Sequence, residues 1–238
     1  MKRLVEVDTL RGIAIVLMVI YHIFFDLSYF RLVDINLYEL GWQLFQRNIG
    51  TLFILIVGIS LTLSENRNKE GYKRHAKRGL KLAGIALLIT VATWIYPHEG
   101  FIMFGIIHLI ALSTFIAPFF FKFGKWNLVL GLLIILLGFY VGTLVTNSHY
   151  LFWLGIVYPG YMQLDHYSLI PWFGVVLVGM YIGNKLFPGG KSKLKLPTNE
   201  NLAFLGRNAL LIYVIHQPIL IGVIMASIHL RSFFHVLL

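Results

Sequence analysis

Residues 7–26 read VDTLRGIAIVLMVIYHIFFD. Asp8 and Arg11 open the stretch, Asp26 closes it, and between Gly12 and Phe25 only His22 titrates near neutrality. About 20 consecutive apolar residues cross a bilayer as a helix, so this stretch reads as a first membrane span. Ionisable groups at membrane depth are costly and mark functional sites. On a helix, His22 and Asp26 stand at i and i+4 and share a face. Arg11 falls within about 20° of that face and Asp8 within about 40°, with Arg11 and His22 about 16 Å apart along the axis. A polar stripe thus runs from the start of the span to a His–Asp pair. A carboxylate beside an imidazole fixes its tautomer and raises its basicity, which suits a general base acting on a hydroxyl or amine.

The rest of the chain has the same character. Its 238 residues are 58% hydrophobic and 13% charged, with mean hydropathy +0.78. A soluble domain would carry roughly a quarter charged residues. The fold class is therefore all-α, a polytopic membrane helix bundle of about seven transmembrane helices in one domain over residues 1–238. The spans read as 8–30, 48–65, 80–96, 102–121, 127–146, 169–187 and 204–228. The start, Met1-Lys2-Arg3, imitates a signal peptide. Glu6, Asp8, Arg11, His22 and Asp26 interrupt that pattern, so it reads as a retained helix.

The net charge of +10 is distributed as topology rather than as a nucleic-acid footprint. With the N-terminus cytoplasmic, Lys2, Arg3 and Arg11, the seven cations from Arg67 to Lys81, Lys122 and Lys125, and the five from Lys185 to Arg207 all fall inside, 17 of 20. Only Arg31, Arg47 and Arg231 fall outside, which is the positive-inside pattern. Residues 66–79 read as a basic polar loop and 188–200 as a mobile connector. Residues 36–46, NLYELGWQLFQ, read as a helix lying flat at the interface. Residues 149–163, HYLFWLGIVYPGYMQ, are too short to span and read as an outer lid. The localisation expected is the plasma membrane, multi-pass, with the bilayer as partner; a homodimer stays open.

Three further spans add candidates. His108 lies near the outer end of the fourth span, level with His22, with Gly105 on its face. The last span carries Arg207 and Asn208 at its inner mouth, then Tyr213, His216 and Gln217. Pro218 follows and frees the Val214 carbonyl, which predicts a broken helix. Asp165 and His166 precede the sixth span and read either as outer contacts for an acceptor or as solvated loop residues. The chain has no cysteine, which removes thiolate chemistry and disulfides. It has no Gly-x-Ser-x-Gly, no HExxH and no Gly-rich phosphate loop, and no metal is expected.

The spacing Arg11, ten residues, His22 in LRGIAIVLMVIYH resembles the signature of membrane acyltransferase family 3. The series VDTLRGIAIVLMVIYHIFFD, FILIVGISLTLS, FGIIHLIALS, LIPWFGVVLVGMYIG and LGRNALLIYVIHQPIL resembles the heparan-alpha-glucosaminide N-acetyltransferase catalytic family, in order over most of the membrane portion. That resemblance implies transfer of an acyl group, acetyl in the first instance, from cytosolic acetyl-CoA or another acyl-CoA to a carbohydrate-type hydroxyl or amine outside. In it His22 matches the family 3 histidine taken to be catalytic and Arg11 matches its arginine; together with the span reading, this gives His22, Asp26, His108 and His216 as catalytic candidates and Arg11, Arg207, Asp8, Asn208 and Tyr213 as candidates for holding the CoA. The lysosomal members carry asparagine at the place of His22 and their catalytic histidine in the next outer segment, where this chain has Val33. Either the histidine role moves to His22 or the activity differs. Two other readings use the same residues: a bis-histidine haem protein built on His22, His108 or His216, and a proton-coupled transporter.

Overall fold

A computed structural model describes residues 4–67, 71–193 and 197–237. Lys2, Arg3, Lys69 and Lys195, which count towards the charge bias, lie outside the described residues, as does the side chain of Arg231. The described chain is helical, with eight α-helices: α1 Val5–Tyr29, α2 Leu40–Arg67, α3 Tyr72–Ile95, α4 Ile106–Ile116, α5 Trp126–Val141, α6 Leu169–Leu186, α7 Glu200–Arg207 and α8 Ala209–Leu237. Six segments are long and apolar enough to cross a membrane: α1, α2, α3, α4 with its 3₁₀ extension to Phe123, α6, and Ala209–Leu230 of α8. The seventh expected span, α5, has 16 residues, about 24 Å of helix.

Several boundaries move, each for a local reason. α2 takes in most of the segment expected to lie flat, because no proline separates residues 40–46 from the apolar run that follows. α3 begins at Tyr72, so the basic run expected as loop is helical from there; Lys, Arg and Ala are good helix formers. α4 starts at Ile106 rather than Ile102, because residues 101–105 are held by loop contacts described below. The last span is interrupted at Asn208, between α7 and α8, while α8 runs on through Pro218. α6 starts where expected; Ile170 is still extended (φ −103°, ψ 123°), so the helix proper opens on Pro171, where a missing N–H costs nothing.

The chain divides into two compact units, residues 53–195 and residues 2–52 with 196–238. In the first, Ile54, Ile56 and Leu61 of α2, Leu109 of α4, and Val176, Leu177 and Met180 of α6 are almost wholly buried. α5 meets α6 at Gly131 and Gly174, each of which faces the other's carbonyl where a side chain would stand. Small residues of this kind let membrane helices approach backbone to backbone. Residues 144–168 form a non-helical loop with a 3₁₀ turn at Phe152–Leu154 and a bridge between Val145 and Val157.

In the second unit, α1 is the central helix. α7 lies along its first half and α8 also packs on it. Tyr21 of α1 meets the rings of Trp42 and Phe45 from α2. Gly12 sits against the Leu202 backbone and Gly206 against the Asp8 carbonyl, so neither position has room for a side chain.

Candidate functional site

The polar stripe of α1 is met by polar residues from α7 and α8, all within the second unit. At one end, Arg11 donates from Nη1 to Asp8 Oδ1 at 2.7 Å and to the Gly206 carbonyl at 3.3 Å. Asp8 is 5% exposed. Thr9 and Asn199 exchange hydrogen bonds at 3.3–3.4 Å, and the Asn199 side chain caps α7 by accepting from the Leu202 N–H. A capping side chain satisfies a donor that the helix leaves unpaired. The bonds from Thr9 and Arg11 tie α7 to α1. Arg207 is 3.6 Å from Glu200, one end of α7 to the other. Asn208 donates to the Phe204 carbonyl and shapes the α7–α8 turn.

About three turns further along α1 stand His22 and Asp26. The His22 ring is 4.7 Å, centre to centre, from that of His216, edge to face at 82°. His22 donates from Nδ1 to the Met18 carbonyl at 2.9 Å, and His216 from Nδ1 to the Tyr213 carbonyl at 2.7 Å. A carbonyl can only accept, so both rings carry their proton on Nδ1 and present an Nε2 lone pair. Asp26, 2% exposed, accepts from Gln217 Nε2 at 2.6 Å. The second oxygen of Asp26, the Oε1 of Gln217 and the Nε2 of His216 are buried acceptors with no donor among the described residues. His22 Nε2 likewise receives none among them. α1 and α8 thus carry four acceptors with no donor among the described residues, two of them on imidazoles whose ring centres are 4.7 Å apart.

The sequence reading has Asp26 fixing the His22 tautomer. The hydrogen bonds are otherwise: helical side chains lean towards the N-terminus, so His22 reaches back to Met18 and its own helix sets the tautomer. Asp26 turns to α8 instead. Gln217, which the sequence reading names in the last span without a role, is the partner of Asp26. Tyr213 contributes its carbonyl, with its ring 5.7 Å from that of His216.

His108 belongs to the first unit and has different surroundings. Its Nδ1 accepts from the Gly105 N–H at 3.2 Å, and its Nε2 donates to Thr90 Oγ1 at 3.1 Å, whose hydroxyl reaches the Ile102 carbonyl at 2.7 Å. Both ring nitrogens are engaged in joining α3 to the start of α4. Next to it lies a network that the sequence did not reveal. Gln163 accepts from the Met103 and Phe104 N–H groups and donates to the Phe104 carbonyl. Asp165 accepts from the Ile106 N–H, capping α4. His166 Nδ1 accepts from Tyr161 and from Gln163 at 2.9 and 2.7 Å. Burial lowers the His166 pKa to about 4 and raises that of Tyr161, which Tyr158 raises further. Asp165 and His166 are thus built into the loop rather than solvated.

A bis-histidine haem held between His22 and His216 would need the two rings further apart than they stand. Metal–nitrogen bonds of about 2 Å on either side of an iron put the ring centres about 6 Å apart, well beyond the 4.7 Å between His22 and His216. The fold defines a multi-pass helical membrane protein. The family description "Heparan-alpha-glucosaminide N-acetyltransferase, catalytic" matches residues 3–218, and the chain belongs to that family of transmembrane acetyltransferases. No curated protein and no solved structure matches the chain.

Proposed function

We propose that this enzyme transfers an acyl group, acetyl in the first instance, from acyl-CoA as donor substrate to a hydroxyl or amine of a carbohydrate-type acceptor on the outer side of the plasma membrane. The observation that carries the reading is the pair of adjacent imidazoles His22 and His216, with unpartnered acceptors on them and on Asp26 and Gln217. A nucleophile with protons to give fits such a place, and an imidazole held with its Nε2 lone pair forward is a general base. The acceptor's O–H or N–H proton passes to His22 Nε2 as its oxygen or nitrogen attacks the thioester carbonyl. The C–S bond then breaks, and the CoA thiolate takes the proton back from the imidazolium. His216, whose ring touches that of His22, is the second group through which the proton can move. Asp26 and Gln217 hold the acceptor's neighbouring hydroxyls.

Arg11 and Arg207 place positive charge where the CoA phosphates would approach. Asp8 orients Arg11, Asn208 sets the α7–α8 turn, and Tyr213 positions His216. His108, satisfied on both nitrogens, acts as a joint between α3 and α4 rather than on the reacting atoms. The test is acetyl transfer in proteoliposomes, from labelled acetyl-CoA to a panel of sugars and amino sugars. His22→Ala lowers the rate by about 10²–10⁴-fold; full activity in that variant sinks the mechanism.

A further inference from the structure

The densest charge of the first unit lies on the first three turns of α3. Lys73, Lys77 and Lys81 recur every four residues in a row about 12 Å long, with Arg74 and Arg78 in a shorter row of about 6 Å alongside. Together these five line an open concavity of about 550 Å³. The three lysines are exposed. Like charges at i and i+4 repel, and an anion over the rows relieves that repulsion.

The same face of α3 continues as apolar surface. Gly84, Leu88, Val91 and Ile95 fall within about 40° of the mean direction of the three lysines. Leu88, Val91 and Ile95 are exposed. Nothing lies within 4 Å of where a Gly84 side chain would stand, so the face has a notch one turn beyond Lys81. Tyr72, half exposed at the head of the helix, pairs its ring with Phe119 at 5.6 Å. Aromatic residues of this kind sit at headgroup level. Cations, notch and apolar stripe therefore follow one another down a single face, in the order of a phospholipid's headgroup and chains.

We propose that this face of α3 is a binding site for an anionic membrane phospholipid, with its phosphate among Lys73, Lys77 and Lys81 and an acyl chain in the notch at Gly84. A soluble polyphosphate such as CoA shares the headgroup chemistry and lacks the hydrocarbon chains. The site is independent of the acyl-transfer reading.

The test uses the full chain in phosphatidylcholine nanodiscs doped with phosphatidylglycerol, with retained lipid read by native mass spectrometry. Phosphatidylglycerol is expected to be retained over phosphatidylcholine. Lys73→Ala, Lys77→Ala and Lys81→Ala together lower its affinity about a hundredfold, and the three Lys→Arg changes preserve it. Gly84→Leu fills the notch without touching the charge and weakens retention as well, which keeps the test decisive should the triple alanine variant fold poorly. Equal retention of the two lipids, or no loss in either variant, overturns the proposal. So does displacement of phosphatidylglycerol by CoA with no effect of Gly84→Leu, which would make this a free-phosphate site.

Discussion

Each imidazole of the site is bound through Nδ1 to a carbonyl of its own helix, so neither depends on a carboxylate for its tautomer. This has a consequence for substitution. His22→Gln and His216→Gln keep a polar group but lose the aromatic nitrogen lone pair, and acetyl transfer in both falls with that of the alanine variants. Gln217→Leu removes the amide that donates to a carboxylate 2% exposed. It lowers stability by about 1–3 kcal/mol, seen as earlier thermal unfolding in detergent. An unchanged melting curve would mean that Asp26 finds another donor. Of these residues, His22 and Asp26 were legible because their spacing and their depth in an apolar run are local facts. Their partners were not: Gln217 is 191 residues from Asp26, and a helical period carries no information about which helix lies opposite. The Arg11–His22 spacing marked the face of α1 that meets α7 and α8, while the part Arg11 plays in joining α7 emerged only from the Gly206 carbonyl.

Among the elements, α7 depends most on absent side chains. Gly206→Val would drive a branched side chain into the Asp8 backbone, an overpacking that costs about 1–3 kcal/mol or more. Loss of monodisperse protein on size-exclusion chromatography is the expected result, whereas Gly222→Ala on the open part of α8 is tolerated. The loop before α6 gives a pH prediction. His166 has an ordinary pKa of 6.5 when unfolded and about 4 in the folded protein, because burial disfavours its charged form. Between these values the unfolded chain binds more protons, so the contribution is complete above about pH 6.5 and is lost as pH falls towards 4. Thermal melting followed from about pH 7 to about pH 4 shows this loss. His166→Gln, which still offers an oxygen to Tyr161 and Gln163, flattens it. A slope unaltered in that variant would assign the effect to other groups. The sequence showed the seven apolar helices and the start of α6, since hydrophobic length is a local property. It misplaced the break in the last span because proline is a strong local signal, whereas α8 accommodates Pro218 and the turn falls at Asn208.

For the whole molecule, the absence of cysteine makes every introduced cysteine a unique reporter. The charge bias predicts that Lys77→Cys is labelled only from the cytoplasmic side and Tyr150→Cys only from the outside. Membrane-impermeant maleimides on intact cells and inverted vesicles read this directly, and labelling of both from one side would overturn the assigned topology. Membership of the acetyltransferase family and the multi-pass class were legible from a series of motifs spread over the chain. The division into two units was not, because it depends on packing between helices far apart in sequence.

That division also orders the protein's assembly. One unit is formed by residues 53–195 alone, while the other joins residues 2–52 to 196–238. On a ribosome adding about 5–20 residues per second, α1 enters the membrane many seconds before α7 and α8 exist. During that interval Arg11, Asp26 and His22 sit in an apolar helix without the carbonyl, the amide and the second imidazole that will later meet them. The helix with the polar stripe thus waits longest for its partners, and the insertion machinery must host it until the end of the chain arrives.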